Sequence, residues 1–449
     1  MKYLRGPVFV STVNKILTKY YPRGTPLLRY IKRSKTGTRE DSMEQAKLTR
    51  AEQDQEFMKR ALKLAAETTA LASPNPQVGC VLTQTPAGGG TPKIIGEGAH
   101  LYANRDHAEI VALKQAAQRD LSTIGATAYV TLEPCSHHGR TGPCADALIA
   151  AGIARCVVAT QDPNPQVSGH GLAKLRAAGI EVTVGVLQQQ ARDLNDAFAH
   201  FIQHRTPFVT LKAALSVDGK LAPPPASRFP NQPHWLTGPA ARYEVHLLRH
   251  ASDAVLTGIG TVLADDPQLT DRSGLLGPNN LPRRRPLLRV ILDSQLRIPI
   301  SSQLVRSADN GKDSGHPNLL ILCSKTAPSD KISALTNLGA QVETIPEHAG
   351  RLSLPAVLTT LAERNILSLL LECGSHLNGA FIQQSLVDKA VLIYSETELG
   401  PGSMPFATGN AGSFALEEKM LAVSKRMVGP DVRVSGLLHD PWANLPSFG

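Results

Sequence analysis

One histidine, one glutamate and two cysteines stand in an order that can build a catalytic metal site. His107 and Glu109 belong to the run HAEIVAL, and Cys135 and Cys144 bracket the run CSHHGRTGPC. Among the six cysteines of the chain, these two are the only ones within ten positions of each other. One imidazole and two thiolates would give zinc three protein ligands and leave a fourth tetrahedral position for water.

Glu109 is suited to acid–base work rather than to closing a structural metal site. Zinc lowers the pKa of bound water from about 15.7 to about 7, so hydroxide is available at neutral pH. A free carboxylate beside it can carry a proton to a ring nitrogen and then to a leaving amine. The pattern predicts hydrolytic deamination of an aromatic amidine carbon. It matches the zinc-deaminase signature H-x-E…P-C-x-x-C, except that eight residues separate the cysteines.

Two other interpretations of the same residues remain open. They could be ordinary polar loop residues, or His137 or His138 could complete a closed structural zinc site as its fourth ligand.

Alternating strands and helices must hold these residues in place. Between residues 53 and 206, strand patterns such as VGCVL and ARCVVAT alternate with helical patterns such as HAEIVALKQAAQ. His107 falls at the start of a helix, Cys135 follows the strand ATAYVTL, and Cys144 opens the next helix, where the helix dipole favours a thiolate. The alternation predicts a largely parallel sheet between layers of helices.

A second series of strands and helices begins at Pro207, after a predicted helix over Gln188–His204. Its strand patterns are PFVTLKAALS, DAVLTGIG, RVILDS, NLLILCS, QVETIP, SLLLECG and AVLIYS. We therefore expect three parts: a basic extension over 1–50, a first α/β domain over 51–206 and a second over 207–449. The run RRR at 283–285 is interpreted as part of a solvated loop, because no aromatic residues accompany it as in a nucleic-acid site.

Composition limits the class of protein. A chain of 449 residues that is 42% hydrophobic can form ordinary globular cores, and no apolar run approaches the length of a membrane span. Six cysteines in so long a chain do not indicate a disulfide scaffold, so a reducing cytoplasm is the simpler expectation.

The formal charge of +9 does not indicate a nucleic-acid partner. Residues 1–50 hold twelve Lys and Arg against three Asp and Glu, which leaves 35 of each sign in residues 51–449. The folded part is thus neutral. For residues 1–50 we expect a disordered basic extension, with an organelle presequence as the alternative.

The first domain resembles the deaminase half of the bifunctional riboflavin-biosynthesis deaminase/reductase family. The segments that carry the resemblance are SPNPQVG (73–79), GEGAH (96–100), HAE, TLEPCSHHGRTGPC and DPNPQVSGHG (162–171). By family position the resemblance implies a pyrimidine and phosphate pocket that contains Asn75, His100, His137, His138, Arg140 and Asn164. Turn chemistry is the alternative role for such residues, and for Asn75 and Asn164 both roles can hold.

The second domain resembles the reductase half of the same family, whose fold is like that of dihydrofolate reductase. The segments, in the family's order, are PFVTLKAALSVDGK, HWLTGPAAR, LLRHASDAVLTGIGTVLADDPQLTDR, ILDS, LLLECGSHLNGAFI and VGPDV. Alone, GIGTVL would be weak evidence for a dinucleotide loop, because it lacks a third glycine. The resemblance, not that motif, implies an NADPH site.

By family position, the residues assigned to the nucleotide are Ala214, Trp235, Thr261, Asp265, Ser294, Gly374, Ser375, His376, Leu377, Asn378, Gly379 and Ala380. Those assigned to the substrate are Lys212, Arg249, Leu269, Arg272 and Glu372. Two arginines suit a sugar phosphate, because a planar guanidinium binds phosphate in bidentate fashion. For Leu269 and Ala214, ordinary core packing is the alternative.

The sequence departs from the family at two places in the second domain. The segment 221–235 is longer and richer in proline than the usual loop, and Pro233 stands where the family has serine. A single glycine, Gly374, follows Glu372-Cys373 where the family has a pair. At these positions we carry over no substrate contact from the family.

The resemblance implies a cytidine-deaminase-like three-layer α/β/α domain followed by a dihydrofolate-reductase-like α/β domain. The implied activity is zinc-dependent deamination of 2,5-diamino-6-(5-phosphoribosylamino)pyrimidin-4(3H)-one, then reduction of the ribosyl side chain with NADPH to give 5-amino-6-(5-phosphoribitylamino)uracil. We expect a phosphorylated pyrimidine substrate, a homo-oligomer, and neither nucleic acid nor membrane as a partner. The alternatives are a nucleic-acid deaminase, which the neutral charge disfavours, and a second domain that only binds ligand or mediates assembly.

Overall fold

The computed structural model describes residues 48–137, 142–165, 167–228, 234–312, 314–409 and 412–443. Residues 1–47 of the predicted basic extension lie outside this part. The first helix begins at Arg50, and the side chain of Thr49 accepts a hydrogen bond from the backbone N–H of Glu52, whose carboxylate in turn accepts from Thr49. This reciprocal cap fixes the start of the helix, which lies one residue before the predicted start of the first domain.

The described residues form twelve α-helices. Their bounds are α1 Arg50–Ala66, α2 Ala108–Gln118, α3 Cys144–Ala150, α4 His170–Ala177, α5 Gln188–His204, α6 Pro239–His250, α7 Ile259–Asp265, α8 Gln303–Arg306, α9 Ser329–Asn337, α10 Leu354–Glu363, α11 Ser375–Gln383 and α12 Ser413–Glu417. In this part of the chain, no helix has both the length and the apolarity that crossing a membrane requires.

Eighteen strands belong to the same described part of the chain. Their bounds are β1 Gly79–Gln84, β2 Lys93–Ala99, β3 Thr127–Val130, β4 Arg155–Val158, β5 Glu181–Val184, β6 Phe208–Leu215, β7 Lys220–Ala222, β8 Ala254–Gly258, β9 Leu288–Leu292, β10 Leu319–Cys323, β11 Gln341–Thr344, β12 Glu347–His348, β13 Arg351–Leu352, β14 Ser368–Leu371, β15 Lys389–Tyr394, β16 Met404–Pro405, β17 Leu421–Val428 and β18 Asp431–Leu437.

The first sheet has the strand order β2-β1-β3-β4-β5. Strands β3, β4 and β5 are parallel, but β1 runs antiparallel to both of its neighbours. The prediction of a largely parallel sheet is therefore confirmed for β3, β4 and β5 but was wrong for β1, which the loop TPAGGGTP joins to β2 as a hairpin. Helices α1 and α5 pack on one face, and α2, α3 and α4 pack on the other. The result is a three-layer α/β/α unit.

Two glycines of β2 set how closely α2 approaches the sheet. A Cβ atom on Gly98 would lie 2.1 Å from the carbonyl oxygen of Ala108, and one on Gly96 would lie 2.3 Å from that of Ala112. Any larger residue would push α2 outward, so the GEG segment is required for this packing. Because α2 begins directly after His107, these glycines also fix the position of the first predicted metal ligand.

The second sheet has the order β11-β10-β9-β8-β14-β6-β15-β18-β17. Strands β11 through β15 in this order pair in parallel, whereas β18 is antiparallel to both β15 and β17. Buried aliphatic residues of the parallel strands form two clusters, one on each face. The carboxyl ends of β6, β8, β9 and β14 lie along one edge, which is where open α/β sheets bind ligands.

The prediction of a solvated loop for the arginine run at 283–285 was wrong. Arg283 donates to Asp271 and to the carbonyl of Ser252, and Arg285 donates to Asp253. These side chains are largely buried, with relative exposures of 17% and 12%. The run is instead a packed connector in which Arg283 and Arg285 are paired with carboxylates.

Candidate active sites

His107, Cys135 and Cys144 meet at one point. The Nδ1 atom of His107 lies 3.2 Å from Sγ of Cys144 and 3.5 Å from Sγ of Cys135. In a tetrahedral zinc site with Zn–S near 2.3 Å and Zn–N near 2.0 Å, the edge from nitrogen to sulfur is about 3.5 Å. The donor types and their spacing therefore fit zinc.

The ends of three elements place these ligands. His107 is the residue before α2, with φ −77° and ψ 161°, and Cys144 is the first residue of α3. Cys135 follows β3, and its sulfur accepts the backbone N–H of Cys144 at 3.3 Å. Hydrogen bonds from Cys144 and then from His107 hold the pKa of the Cys135 thiol well below its usual range. A thiolate at this position is what a metal ligand requires.

Glu109 lies beside the three ligands but is not one of them. In the part of the chain that the structure describes, the cluster of possible metal ligands contains His107, Cys135 and Cys144 alone. Glu109 is in the first turn of α2, and only 3% of its surface is exposed. Burial raises its pKa to about 7, although the neighbouring charge of His107 opposes the shift. Its burial and its closeness to Cys144 suit a proton carrier.

The alternative of a closed four-ligand site with His137 finds no support among the described residues. His137 is exposed and stands outside the ligand cluster. His138 and Arg140, both predicted to contact substrate, lie outside the described residues.

A cavity of about 280 Å³ opens onto the metal ligands. It is lined by Pro74, Asn75, Tyr102, Arg105, His107, Cys135, His137 and Asn365. Two of the predicted substrate residues, Asn75 and His137, are thus on its wall. Tyr102, Arg105 and Asn365 were not predicted. Asn365 precedes β14 in the second sheet, 258 residues after His107, and the sequence carries no local signal for such a contact.

His100 contacts Asn75, which lines the cavity. Its Nε2 lies 2.9 Å from the amide nitrogen of Asn75, and its Nδ1 lies 2.8 Å from the carbonyl oxygen of Asp106. The carbonyl can only accept, so Nδ1 carries the proton and Nε2 accepts from Asn75. This pairing directs the Asn75 amide oxygen away from His100. Asn164, by contrast, is in a turn where its backbone N–H donates to Asp162, and it is not among the described residues that line the cavity.

Sequence reasoning missed Glu133, two residues before Cys135. Its buried carboxylate accepts four backbone N–H groups, from Asp162, Gly169, Gly171 and Leu172, at 2.9 to 3.3 Å. It therefore ties the loop before α4 to the segment that carries Cys135. Its place in TLEPC, directly before Pro134 and two residues before a predicted metal ligand, was the signal in the sequence that could have pointed to it.

A second polar cluster lies at the carboxyl edge of the nine-stranded sheet. Arg249 of α6 binds the carboxylate of Glu372 through Nε at 2.7 Å and Nη2 at 3.0 Å, and donates to the carbonyl of Thr270. Burial opposes ionisation of Glu372, but the charges of Arg249 and Lys212 hold its pKa below the ordinary value. Burial lowers the pKa of Lys212. A lysine, an arginine and a carboxylate that are largely removed from solvent together mark a candidate site.

The other two predicted substrate residues differ in exposure. Leu269 is 4% exposed and packs in a hydrophobic cluster with Val255 and Ile259. Arg272 is exposed and donates to the side chain of Gln268. Arg272 is thus accessible to a ligand, whereas most of the Arg249 donors are already engaged.

The residues predicted to bind the nucleotide surround the same edge. Ala214 is on β6, Thr261 and Asp265 are on α7, and Ser294 follows β9. Trp235 is 63% exposed, with the Arg242 guanidinium 5.1 Å from its ring centre. Gly258 and Gly374 precede α7 and α11 without a side-chain cap, and the space around Gly260 and Gly374 is open. We call this part of the surface, at the ends of parallel strands, the open strip. Open α/β sheets bind dinucleotides at such ends, and the assignment of a nucleotide to this strip stays a prediction.

Parts of the stretch 374–380 face protein rather than the open strip. Asn378 donates to the carbonyl of Phe406 and accepts from the thiol of Cys373. A Cβ on Gly379 would lie 2.5 Å from the carbonyl oxygen of Thr408. His376 is exposed, and the side chain of Ser375 donates to Pro405. A nucleotide role for this stretch stays a prediction.

Comparison with known proteins matches both halves of the chain. Residues 51–160 match the cytidine and deoxycytidylate deaminase zinc-binding region, and residues 207–431 match the RibD C-terminal domain. The riboflavin biosynthesis protein RibD of Escherichia coli is 38% identical over 395 residues, which cover 85% of this chain and 98% of that protein. That of Aquifex aeolicus is 37% identical over 374 residues, 83% of this chain and 95% of that protein.

Solved structures agree with the sequence matches. RibD of Acinetobacter baumannii superimposes with a TM-score of 0.69 at 34% identity, covering 86% of this chain and 99% of that one. A diaminohydroxyphosphoribosylaminopyrimidine deaminase/5-amino-6-(5-phosphoribosylamino)uracil reductase of Thermotoga maritima gives a TM-score of 0.69 at 32% identity, with the same coverage.

Proposed function

Because the chain belongs to the family of the riboflavin biosynthesis protein RibD, we propose that its two polar clusters are the two active sites of one bifunctional enzyme. The enzyme deaminates 2,5-diamino-6-(5-phosphoribosylamino)pyrimidin-4(3H)-one and then reduces the ribosyl side chain with NADPH. Its domains are a cytidine-deaminase-like unit and a dihydrofolate-reductase-like unit. We propose residues 51–206 and 207–449 as their limits.

For deamination, His107, Cys135 and Cys144 would hold zinc, which when bound acts as a Lewis acid that activates a water molecule. Glu109 has the burial and the position to take a proton from that water. Its carboxyl group then delivers this proton to the ring nitrogen. After the oxygen has added to the ring carbon, Glu109 takes the second proton from that hydroxyl and passes it to the amine, which leaves as ammonia. Asn75, oriented by His100, has its amide oxygen free to accept from a donor of the pyrimidine. Residues 137, 138 and 140 would contact the sugar phosphate.

For reduction, NADPH when bound supplies the hydride. The ion pair of Arg249 with Glu372 keeps the Glu372 carboxylate ionised next to Lys212. Partial burial lowers the pKa of Lys212, so its ammonium group gives up a proton more readily than an exposed one. We assign it the delivery of a proton to the nitrogen or oxygen left negative after hydride transfer. Arg272, which is exposed beside this cluster, is the better placed of the two predicted arginines to bind the phosphate.

The observation that carries the proposal is the triangle of His107, Cys135 and Cys144 with buried Glu109 beside it, in one chain with the buried pair Arg249–Glu372. The test is anaerobic incubation of the purified protein with the diamino substrate, with and without NADPH, followed by mass analysis. Without NADPH the product should have exchanged one amine for oxygen. With NADPH it should also have gained two hydrogens. A product that never gains hydrogen would instead support a second domain that only binds ligand or mediates assembly.

We further propose a homo-oligomer located in the cytoplasm. None of the six cysteines is in a disulfide, and Cys135 and Cys144 belong to the metal-ligand cluster, which suits a reducing compartment. Light scattering after size exclusion measures the mass of the particle, and cell fractionation tests the location. A monomer, or a protein found in an organelle, would contradict these two proposals.

A further inference from the structure

The cavity of the deaminase half has one wall from the reductase half. Asn365 lines it together with Asn75, Tyr102 and Arg105. Asn365 is exposed and stands in a left-handed turn, with φ +54°, between α10 and β14. Asparagine tolerates this backbone conformation better than most residues.

A buried carboxylate and an arginine hold that turn in place. Asp253 accepts the backbone N–H groups of Leu367 and Ser368 through Oδ2, at 2.9 and 3.2 Å. Arg285 donates to Oδ1 of Asp253 and to the carbonyl of Asn365, at 3.1 and 2.7 Å. The same Nη2 atom lies 3.2 Å from Oγ of Ser73 in the deaminase half. The turn of Asn365 is therefore linked directly to the loop that carries Asn75.

Arg284 contacts two other parts of the cavity wall. Its Nη2 donates to the carbonyl of Ser73 at 2.7 Å, and its guanidinium lies 4.3 Å from the ring centre of Tyr102. Its backbone N–H donates to the carbonyl of Ala70. A planar guanidinium that stacks on an aromatic ring and binds a carbonyl constrains both groups at once. A Cβ on Gly277, six residues before the arginine run, would lie 2.2 Å from Leu71. The segment that leads into the run therefore also packs closely on the deaminase half.

We propose that the reductase half completes the deaminase substrate site: Asn365 contacts the sugar phosphate part of the substrate, and Arg284 is a positioning residue for Tyr102 and the Ser73–Asn75 loop. This inference rests on the proposed function. The pyrimidine must reach His107 and Cys135, so the remainder of a substrate that fills the cavity extends toward its other lining residues, including Arg105 and Asn365. The amide of Asn365 can donate to phosphate or accept from a sugar hydroxyl. The two halves thus share a binding surface although their chemistry is separate.

The test uses the full chain with Asn365→Asp, Arg284→Ala and Arg284→Lys. Asn280→Asp is the matched control, because Asn280 is an exposed asparagine of the same half with φ +60° and does not line the cavity. Ammonia release is measured against diamino substrate concentration, and NADPH oxidation is measured separately with the already deaminated pyrimidine. Zinc content is measured for each variant.

Asn365→Asp keeps the turn but places a negative charge opposite the phosphate. We expect the KM for deamination to rise by roughly three- to tenfold, with kcat nearly unchanged and with a smaller effect at high salt, since exposed charges are screened. Arg284→Ala should also raise the KM, and Arg284→Lys should recover part of it, because lysine keeps the charge but not the planar stacking. Zinc content and NADPH oxidation should match the wild type in all variants.

Two results would count against the inference. The first is an unchanged deamination KM in both Asn365→Asp and Arg284→Ala while the wild type is active. The second is a combination of two observations. Arg284→Ala loses NADPH oxidation to the same extent as deamination, and the deamination KM of Asn365→Asp is no higher than that of Asn280→Asp. If the wild type itself releases no ammonia, the proposed function has failed, which is a distinct outcome. Asn365→Asp changes an exposed side chain, so it carries the test even if Arg284→Ala does not fold.

Discussion

The indole Nε1 of Trp442 donates to Oδ1 of Asp196 at 3.0 Å, across 246 residues of sequence. Asp196 is on α5, the last helix of the deaminase half, and Trp442 follows the last strand of the reductase half. The second oxygen of Asp196 lies 3.6 Å from Nζ of Lys389, and the Arg192 guanidinium lies 5.3 Å from the indole centre. The end of the described chain therefore closes on the junction of the two halves.

This contact predicts a loss of stability when the indole is replaced. Trp442 is 3% exposed. Trp442→Phe keeps most of the buried surface but leaves the Asp196 carboxylate with one partner fewer, which should cost about 1–3 kcal/mol. Trp442→Ala should cost about 3–5 kcal/mol. Urea unfolding followed by circular dichroism measures both. The control is Trp235→Phe at a residue that is 63% exposed, and a loss as large as that of Trp442→Phe would contradict the assignment.

Glu133 gives a prediction about positioning. Its carboxylate accepts four backbone N–H groups from the 162–172 segment, and Glu133→Gln replaces one acceptor oxygen by a donor. A donor facing backbone N–H groups leaves them unsatisfied, at about 1–3 kcal/mol for each buried group. We expect the 162–172 segment to exchange amide hydrogen faster and deamination to fall by about tenfold or more. NADPH oxidation with the deaminated pyrimidine should not change.

Hydrogen exchange and zinc content separate this role from a role in metal binding. Glu133→Gln should retain zinc, because the three ligands are untouched. Loss of zinc with unchanged exchange in 162–172 would contradict the positioning role.

Local sequence patterns were sufficient for the metal ligands. His107, Cys135 and Cys144 stand at the ends of a helix and a strand, and both the ends and the residue types are visible in short segments. The α/β alternation likewise predicted most strands, since buried parallel strands are continuous apolar runs. The final hairpin of β17 and β18 was not predicted, although its turn Gly429-Pro430 joins two alternating runs. Seven of the eight residues of β17 are exposed, which weakens the apolar signal.

Contacts between the halves could not be predicted from local patterns. An arginine run has the same composition whether it is solvated or paired. Arg284 and Arg285 both contact Ser73, which precedes them by 211 and 212 residues in the sequence. The same holds for Asn365, whose turn has no motif that points to the deaminase cavity. Only the packing of the two sheets brings these residues together.

Zinc binding should depend on Cys144. Cys144→Ser should lower zinc from near one per chain to near zero and abolish deamination, since the hydroxyl is a poor replacement for a thiolate. Cys156→Ala is the matched control, because Cys156 is fully buried on β4 and is not a ligand. Atomic absorption measures the metal. Zinc that remains stoichiometric in Cys144→Ser would end the assignment.

Glu372 should be required for reduction but not for deamination. Glu372→Gln removes the partner of buried Arg249 and leaves the partly buried Lys212 beside it, so we expect a loss of stability of about 3–5 kcal/mol. NADPH oxidation should fall sharply, and ammonia release should continue wherever the variant stays folded. The paired variant Arg249→Met with Glu372→Gln should regain part of the stability but not the reductase activity. A recovery of activity in the pair would show that Glu372 serves only the ion pair.

The sharpest prediction concerns the separation of the two chemistries. Glu109→Gln should keep zinc and fold, because Glu109 is outside the ligand cluster, and it should lose the proton carrier. General acid–base groups contribute about 10²–10⁴-fold, and a carboxylate that handles several proton transfers should be near the top of that range. The variant should still oxidise NADPH when given the deaminated pyrimidine. Conversely, Asp265→Ala on α7 should impair reduction while ammonia release continues. Loss of reduction in a folded, zinc-loaded Glu109→Gln would mean that the intermediate enters through the deaminase cavity or that the halves share more than the wall formed by Asn365.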